Sequence, residues 1–286
     1  STYLQVEDGE FTIESGGGSA SVSTPSTSQG FRADWETQTV EIDDSISTKG
    51  VKATTDLTLN SGTFTIDSAD DALHSNGNLT IAGGTFEIAS GDDGIHADSA
   101  VTISSGSVNI TQSYEGVKGL SIDIVGGDIA LVARDDGLNA AGGTDSSGFG
   151  GRSGGMFATT EGAYINISGG SLIVDASGDG IDSNGDLTVS GGETYVSGPV
   201  DSGNSASDYN GDAVISGGIF IATDFTAMAQ NFGSSSTQGV MMVAVSTGSP
   251  GDNISLCDSD GNELASWQAE KAYSSVIISC PEITQG

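Results

Sequence analysis

Six short segments recur along this chain of 286 residues at an almost fixed interval. Asp70-Asp71-Ala72-Leu73-His74 returns 22 residues later as Asp92-Asp93-Gly94-Ile95-His96, and after 22 more as Tyr114-Glu115-Gly116-Val117-Lys118. Asp135-Asp136-Gly137-Leu138-Asn139 follows at 21, Gly178-Asp179-Gly180-Ile181-Asp182 at 43, and Thr48-Lys49-Gly50-Val51-Lys52 precedes the series by 22. A constant period of this length marks a stacked repeat, because one unit cannot bury its apolar face until its neighbours cover it.

Each copy also holds two runs of strict apolar–polar alternation, such as Leu79-Thr80-Ile81 and Thr85-Phe86-Glu87-Ile88, joined through Gly83-Gly84. Period-two alternation is a strand signal, so three short strands per copy are predicted. Overlaying the copies gives four aliphatic columns. Leu57, Leu79, Val101, Ile122 and Leu187 form one; Leu59, Ile81, Ile103, Ile124, Ile167 and Val189 form the next. Phe64, Phe86, Val108, Ile129 and Leu172 make the third, and Val51, Leu73, Ile95, Val117, Leu138 and Ile181 the fourth. The predicted fold is all-β, a right-handed parallel β-helix with about 22 residues per coil. A leucine-rich repeat is excluded by the missing Leu and Asn spacing and the lack of helical periodicity. The paired glycines then supply positive φ or close backbone approach at the corner between the second and third strands.

Three stretches break the period and read as loops leaving the coil: 17–46, 142–162 and 198–211. The β-helix is assigned to 1–222. From 223 to 286 the repeat is lost, and Val240–Val245, Ile254–Cys257 and Ser275–Cys280 read as a small antiparallel β unit packed on the coils.

Stacked coils lie about 4.8 Å apart, so Asp71, Asp93, Glu115, Asp136 and Asp179 are expected in one vertical column of carboxylates, with Asp70, Asp92 and Asp135 beside it. Adjacent charges at that spacing repel by about 1 kcal/mol in water and roughly 3 to 4 kcal/mol at an effective dielectric of 20. Calcium relieves that repulsion, since it takes six to eight oxygens in irregular geometry. The expected ligands are these eight residues and Asp182. The alternative is that Asp and Gly simply make good solvated turns. Zinc fits poorly, because His74 and His96 have no Cys or third His beside them.

The position three residues after the column acid holds Lys52, His74, His96, Lys118, Asn139 and Asp182. These are expected to face outward, as an ordinary wet face or as a strip meeting sugar hydroxyls through His74, His96, Lys118 and Asn139, with Tyr114 alongside. Further aromatic platforms are Trp35, Phe149, Phe157, Tyr195 and Tyr209. A lyase reading would use Lys118 or Arg134, the cations set in the ladder, as the base that removes a proton beside a uronate carboxyl.

Seven Lys and Arg face 39 Asp and Glu, a net charge of −32, which makes nucleic acid and anionic membranes poor partners and cations good ones. No apolar run approaches the roughly 18 residues of a membrane span and no signal peptide opens the sequence, so a soluble, processed chain is expected. Cys257 and Cys280 are compatible with one disulfide in an oxidising compartment; two free buried thiols are the alternative.

These residues resemble the calcium-containing, carbohydrate-binding β-helix proteins of clostridia and other bacteria, which are similar in fold to pectate lyases. The likeness rests on Asp67-Ser68-Ala69-Asp70-Asp71-Ala72-Leu73-His74-Ser75-Asn76-Gly77-Asn78, on Ser90-Gly91-Asp92-Asp93-Gly94-Ile95-His96-Ala97-Asp98 and on Ser113-Tyr114-Glu115-Gly116-Val117. Asp135 through Gly142 and Met228-Ala229-Gln230-Asn231-Phe232 extend it, over roughly residues 47–280. The resemblance implies bound Ca²⁺, an extracellular or cell-surface setting, and binding of cellulose or an acidic, pectin-like glycan. Members of that family carry more coils before the first repeat, whereas Leu4-Gln5-Val6 and Phe11-Thr12-Ile13 supply about one here. Exposed strand edges recruit further strands, which raises a head-to-tail homo-oligomer as a structural or adhesive alternative.

Overall fold

A computed structural model of the chain describes residues 2–22, 47–142, 159–200 and 202–284. Most of the expected loops 17–46 and 142–162, and with them Trp35, Phe149 and Phe157, lie outside the described residues.

Two strands open the fold, β1 (Tyr3–Val6) and β2 (Glu10–Ser15). Full coils follow: β3 (Val51–Ala53), β4 (Asp56–Leu59) and β5 (Thr63–Ser68), then β6 (Leu73–Ser75), β7 (Leu79–Ile81) and β8 (Thr85–Ser90). The next two are β9 (Ile95–Ala97), β10 (Ala100–Ile103) and β11 (Ser107–Gln112), then β12 (Val117–Gly119), β13 (Ser121–Ile124) and β14 (Asp128–Ala133). After these come β15 (Leu138–Ala140), β16 (Tyr164–Ile167) and β17 (Ser171–Ala176). In the last two coils the second and third strands run together through the corner, as β18 (Ile181–Ser183) with β19 (Asp186–Ser197) and β20 (Ser207–Tyr209) with β21 (Ala213–Asp224). Four strands end the chain: β22 (Gln238–Gly248), β23 (Asn253–Cys257), β24 (Glu263–Gln268) and β25 (Tyr273–Thr284).

First strands of successive coils form a parallel ladder of seven, β3-β6-β9-β12-β15-β18-β20. Second strands stack from β1 through β16 to β19, and third strands from β2 through β17 to β19. The fold is therefore the parallel β-helix predicted from the repeat. The four columns also hold: Val101 pairs with Leu79 and Ile122, Val108 with Phe86 and Ile129, and Val117 with Ile95 and Leu138. Apart from the half-buried Val51 their side chains are buried, and Phe11, Phe64 and Phe86 stack at centroid separations of 4.8 and 4.7 Å.

The corner glycines do both things asked of them. Gly84 has φ +104°, and a Cβ on Gly83 would stand 2.7 Å from the Asn60 carbonyl oxygen of the coil below.

Two expectations are corrected. The stretch 198–211 is not wholly a loop, because Ser207–Tyr209 is β20 and continues the first ladder against Ile181–Ser183. It was hidden because Ser207 stands where every earlier coil has an aliphatic residue. The terminal unit does more than pack on the coils: β25 pairs antiparallel with β21, Phe220 opposite Ser279 through Asp224 opposite Ser275, and β22 pairs with the other side of β25. The last third strand is thereby covered, and β23 and β24 form a separate hairpin. No helix among the described residues is long and apolar enough to cross a membrane.

Candidate functional site: an acidic ladder on the first turns

The turns before β6, β9, β12, β15 and β18 carry the column acids, and their backbone is fixed by the coil above. Gly94 N donates to Glu115 O, Gly116 N to Asp136 O, and Gly137 N to Asp179 O. A Cβ on Gly137 would lie 2.5 Å from the Gly180 oxygen, so this turn requires glycine for close approach. The acids join the same framework. Asp71 Oδ1 accepts Asp93 N at 3.1 Å, Asp136 Oδ1 accepts Asp179 N at 2.7 Å, and Asp179 Oδ1 accepts Ser205 N at 2.5 Å. One oxygen of each of these carboxylates thus ties coil to coil, which leaves the other for a partner.

Those partners divide the ladder into two halves. In the N-terminal half they are basic side chains. Lys49, buried at the column position of its own coil, reaches Asp71 Oδ2 at 2.7 Å and Asp70 Oδ1 at 2.9 Å. His74 Nδ1 stands 2.7 Å from Asp71 Oδ2, and His96 Nδ1 2.9 Å from Asp93 Oδ2. Lys118 Nζ lies 3.2 Å from Glu115 Oε2 and 3.5 Å from Asp93 Oδ2. Burial alone would raise Asp71, but His74, Lys49 and His96 hold it well below the usual carboxylate range.

In the C-terminal half no Lys, Arg or His of the described residues pairs with Asp135, Asp136 or Asp179. Asn139 is the nearest substitute, donating through Nδ2 to Glu115 Oε1 and Asp136 Oδ2 at 3.1 Å each. Its own Oδ1 is buried with no hydrogen-bond partner. Carboxylate oxygens of Glu115, Asp135 and Asp136, and again of Asp136, Asp179 and Asp182, lie within 4.8 Å of one another. Burial, then the neighbouring acids, push Asp136 far up, and Asp179 rises to about 7 despite the Ser205 N–H. Glu115 is raised to about 7 by burial and Asp93, against the opposing Lys118.

A third trio, Asp70, Asp71 and Asp92, also converges, with Asp92 raised to about 8 by burial and by Asp93, Asp71 and Asp70. Lys49 already stands on two of its members. The expected nine-residue calcium set is therefore uneven: Asp70, Asp71, Asp93 and Glu115 stand beside a lysine, whereas Asp136, Asp179 and Asp182 bring their carboxylate oxygens together.

The strip expected to meet sugar is in register, Lys52-His74-His96-Lys118-Asn139-Asp182, with Lys52 exposed and Lys118 and Asp182 half-buried, but it is not a continuous wet face. His74, His96 and Asn139 are buried, and the two imidazoles lie 4.9 Å apart between their aspartates. Pointing away from the aliphatic core did not bring exposure: His74 and His96 lie against Asp71 and Asp93 of their own turns, which are themselves buried. Tyr114 alone of that ligand set is exposed.

The two bases of the lyase reading are also engaged. Burial would lower Lys118, but Asp93 and Glu115 hold it protonated, so it has no lone pair with which to take a proton. Arg134 donates from Nη2 to Gly91 O at 2.6 Å and from Nε to Ser113 O at 3.2 Å, a clamp across coils. Lys49 is a third ladder cation; its place in the repeat was the signal that could have found it. Tyr209 donates to Asn231 O and packs on the core, while Tyr195 lies 5.9 Å from Trp267. The expected disulfide is absent: Cys257 is free and exposed on the hairpin, and Cys280 is free and buried on β25.

No curated protein and no solved structure matches the chain. A family model described as "carbohydrate-binding domain-containing protein" matches residues 1–94 and 92–279. Two overlapping matches to one family cover the coils and most of the terminal unit, and the chain belongs to this family of carbohydrate-binding domain-containing proteins.

Proposed function

We propose that this chain is an extracellular module that holds polysaccharide and is stiffened by calcium bound in the C-terminal half of its acidic ladder. The observation that carries the calcium is the convergence of Asp136, Asp179 and Asp182 carboxylates, next to Glu115 and Asp135. The donor set is all carboxylate oxygen, which suits a hard cation and not zinc. Calcium would supply the positive charge that Lys49 and Lys118 supply in the other half. It would also tie three successive coils together at their turns.

The test is thermal melting after chelator treatment, with calcium then added back. A ligand bound only by the folded state at 100 times its Kd adds about 2.7 kcal/mol, so the melting temperature should rise by several degrees. Asp136→Asn with Asp179→Asn should lose that rise. An unchanged melting temperature in wild type would overturn the calcium reading.

A second reading, self-association, has one specific observation behind it. Among the described residues β22 pairs on one side only, and Met241, Met242, Val243 and Val245 are exposed along it. An uncharged apolar edge strand is a template for another strand.

A further inference from the structure

The ladder holds the acids, but His74, His96 and Asn139 of its polar strip are buried, so the glycan needs another surface. We propose that it lies along the outward face of the third-strand ladder, parallel to the coil axis, and that it is a neutral, extended chain of sugar rings. This rests on the reading of the chain as a polysaccharide-binding module.

The third strands β8, β11, β14, β17 and β19 bring Glu87, Asn109, Ala130, Ile173 and Tyr195 into one outward column. Ser107, Asp128 and Ser171 form a parallel column beside it. A shallow groove of about 320 Å³ runs between the two, lined by members of both. Along the track the side chains pass from carboxylate to amide to methyl to sec-butyl to phenol. The ring of Tyr195 then meets Trp267 of β24, so the terminal hairpin closes the track with an aromatic pair.

A pyranose presents hydroxyls at its edge and C–H groups on its faces. Ala130, Ile173 and the aromatic pair offer apolar contact to those faces. Hydroxyls would be met by Asn109, whose Nδ2 now donates to Glu87 at 2.7 Å, and by Ser107, Asp128 and Ser171, whose side chains make no hydrogen bond among the described residues. The outward face of the second-strand ladder is different, since its polar groups engage one another: Tyr164 and Asn166 both donate to Asp123, and Asn78 to Asp56.

Length and charge select the occupant. Five strands about 4.8 Å apart give a track of about 19 Å, with one step per coil close to the length of one sugar in an extended chain. Glu87 and Asp128 on the track, and the net charge of −32, repel a polyuronate.

Affinity gel electrophoresis with hydroxyethylcellulose and with polygalacturonate, each in chelator, tests this. Wild type should be retarded by the neutral glucan and not by the uronate. Asn109→Ala with Ile173→Ser should weaken that retardation at least ten-fold at an unchanged melting temperature. Should that pair fail to fold, Ser171→Trp, which fills the groove from an outward position, is expected to do the same. Retardation of wild type by neither glycan would remove the polysaccharide reading itself. Normal glucan retardation in folded groove variants, or binding to polygalacturonate alone, would overturn the track while leaving that reading in place.

Discussion

At the residue scale, one carboxylate performs two tasks in this fold. Asp179 accepts the backbone N–H of Ser205 through one oxygen and faces Asp136 and Asp182 with the rest of its charge. Asp179→Asn keeps an acceptor for Ser205 N and removes a repelled charge. In chelator at pH 8 it is expected to melt at or above the wild-type temperature, with the order reversed in calcium; scanning calorimetry of both proteins reads this directly. Gly137→Ala makes a complementary test, because the added Cβ would meet Gly180 O at 2.5 Å and Val174 Cγ1 at 2.3 Å. Overpacking of that kind costs about 1 to 3 kcal/mol, measurable as a lower urea midpoint. The acids and the glycines were legible in sequence because the repeat aligns them. The pairing of Lys49 with Asp71 was not, since a lysine at an acid position looks like an exception until the coil above is in place.

At the element scale, the turns and the strands respond to different agents. Folded-state carboxyls raised to about 7 or 8 at Asp92, Glu115 and Asp179 hold protons that the unfolded chain has released above about pH 4. The folded state therefore binds more protons between about pH 4 and 8, and stability falls as pH rises through that window. Asp71 acts in the opposite sense, and only below its unfolded value of 3.8. Calcium-free protein should accordingly melt higher at pH 5 than at pH 8, whereas calcium-loaded protein should not. Equal melting at the two pH values in chelator would show that the acids ionise normally. The third strands depend instead on packing. Phe64 is buried between Phe11 and Phe86, and Phe64→Ala should cost about 3 to 5 kcal/mol whatever the calcium concentration.

For the whole molecule, the stack is closed at one end of its third ladder by β25, yet the sheet still ends in the apolar edge of β22. Val243→Lys on that edge is expected to leave melting unchanged and to lower light scattering from concentrated solutions, as charged edge strands resist pairing. Scattering that is identical in the two proteins would count against self-association through β22. The sequence by itself determined the coil, its three strands, its core columns and its acid column, because all of these follow from a period of 22 and from alternation, which are local and repeated. Tertiary structure decided the rest. Whether His74 is wet or buried depends on the coils above and below it, whether Cys257 meets Cys280 depends on how two separate sheets are placed, and whether an acid is neutralised or left for a cation depends on which side chain stacks against it. Those are contacts between coils, and periodicity within one coil carries no record of them.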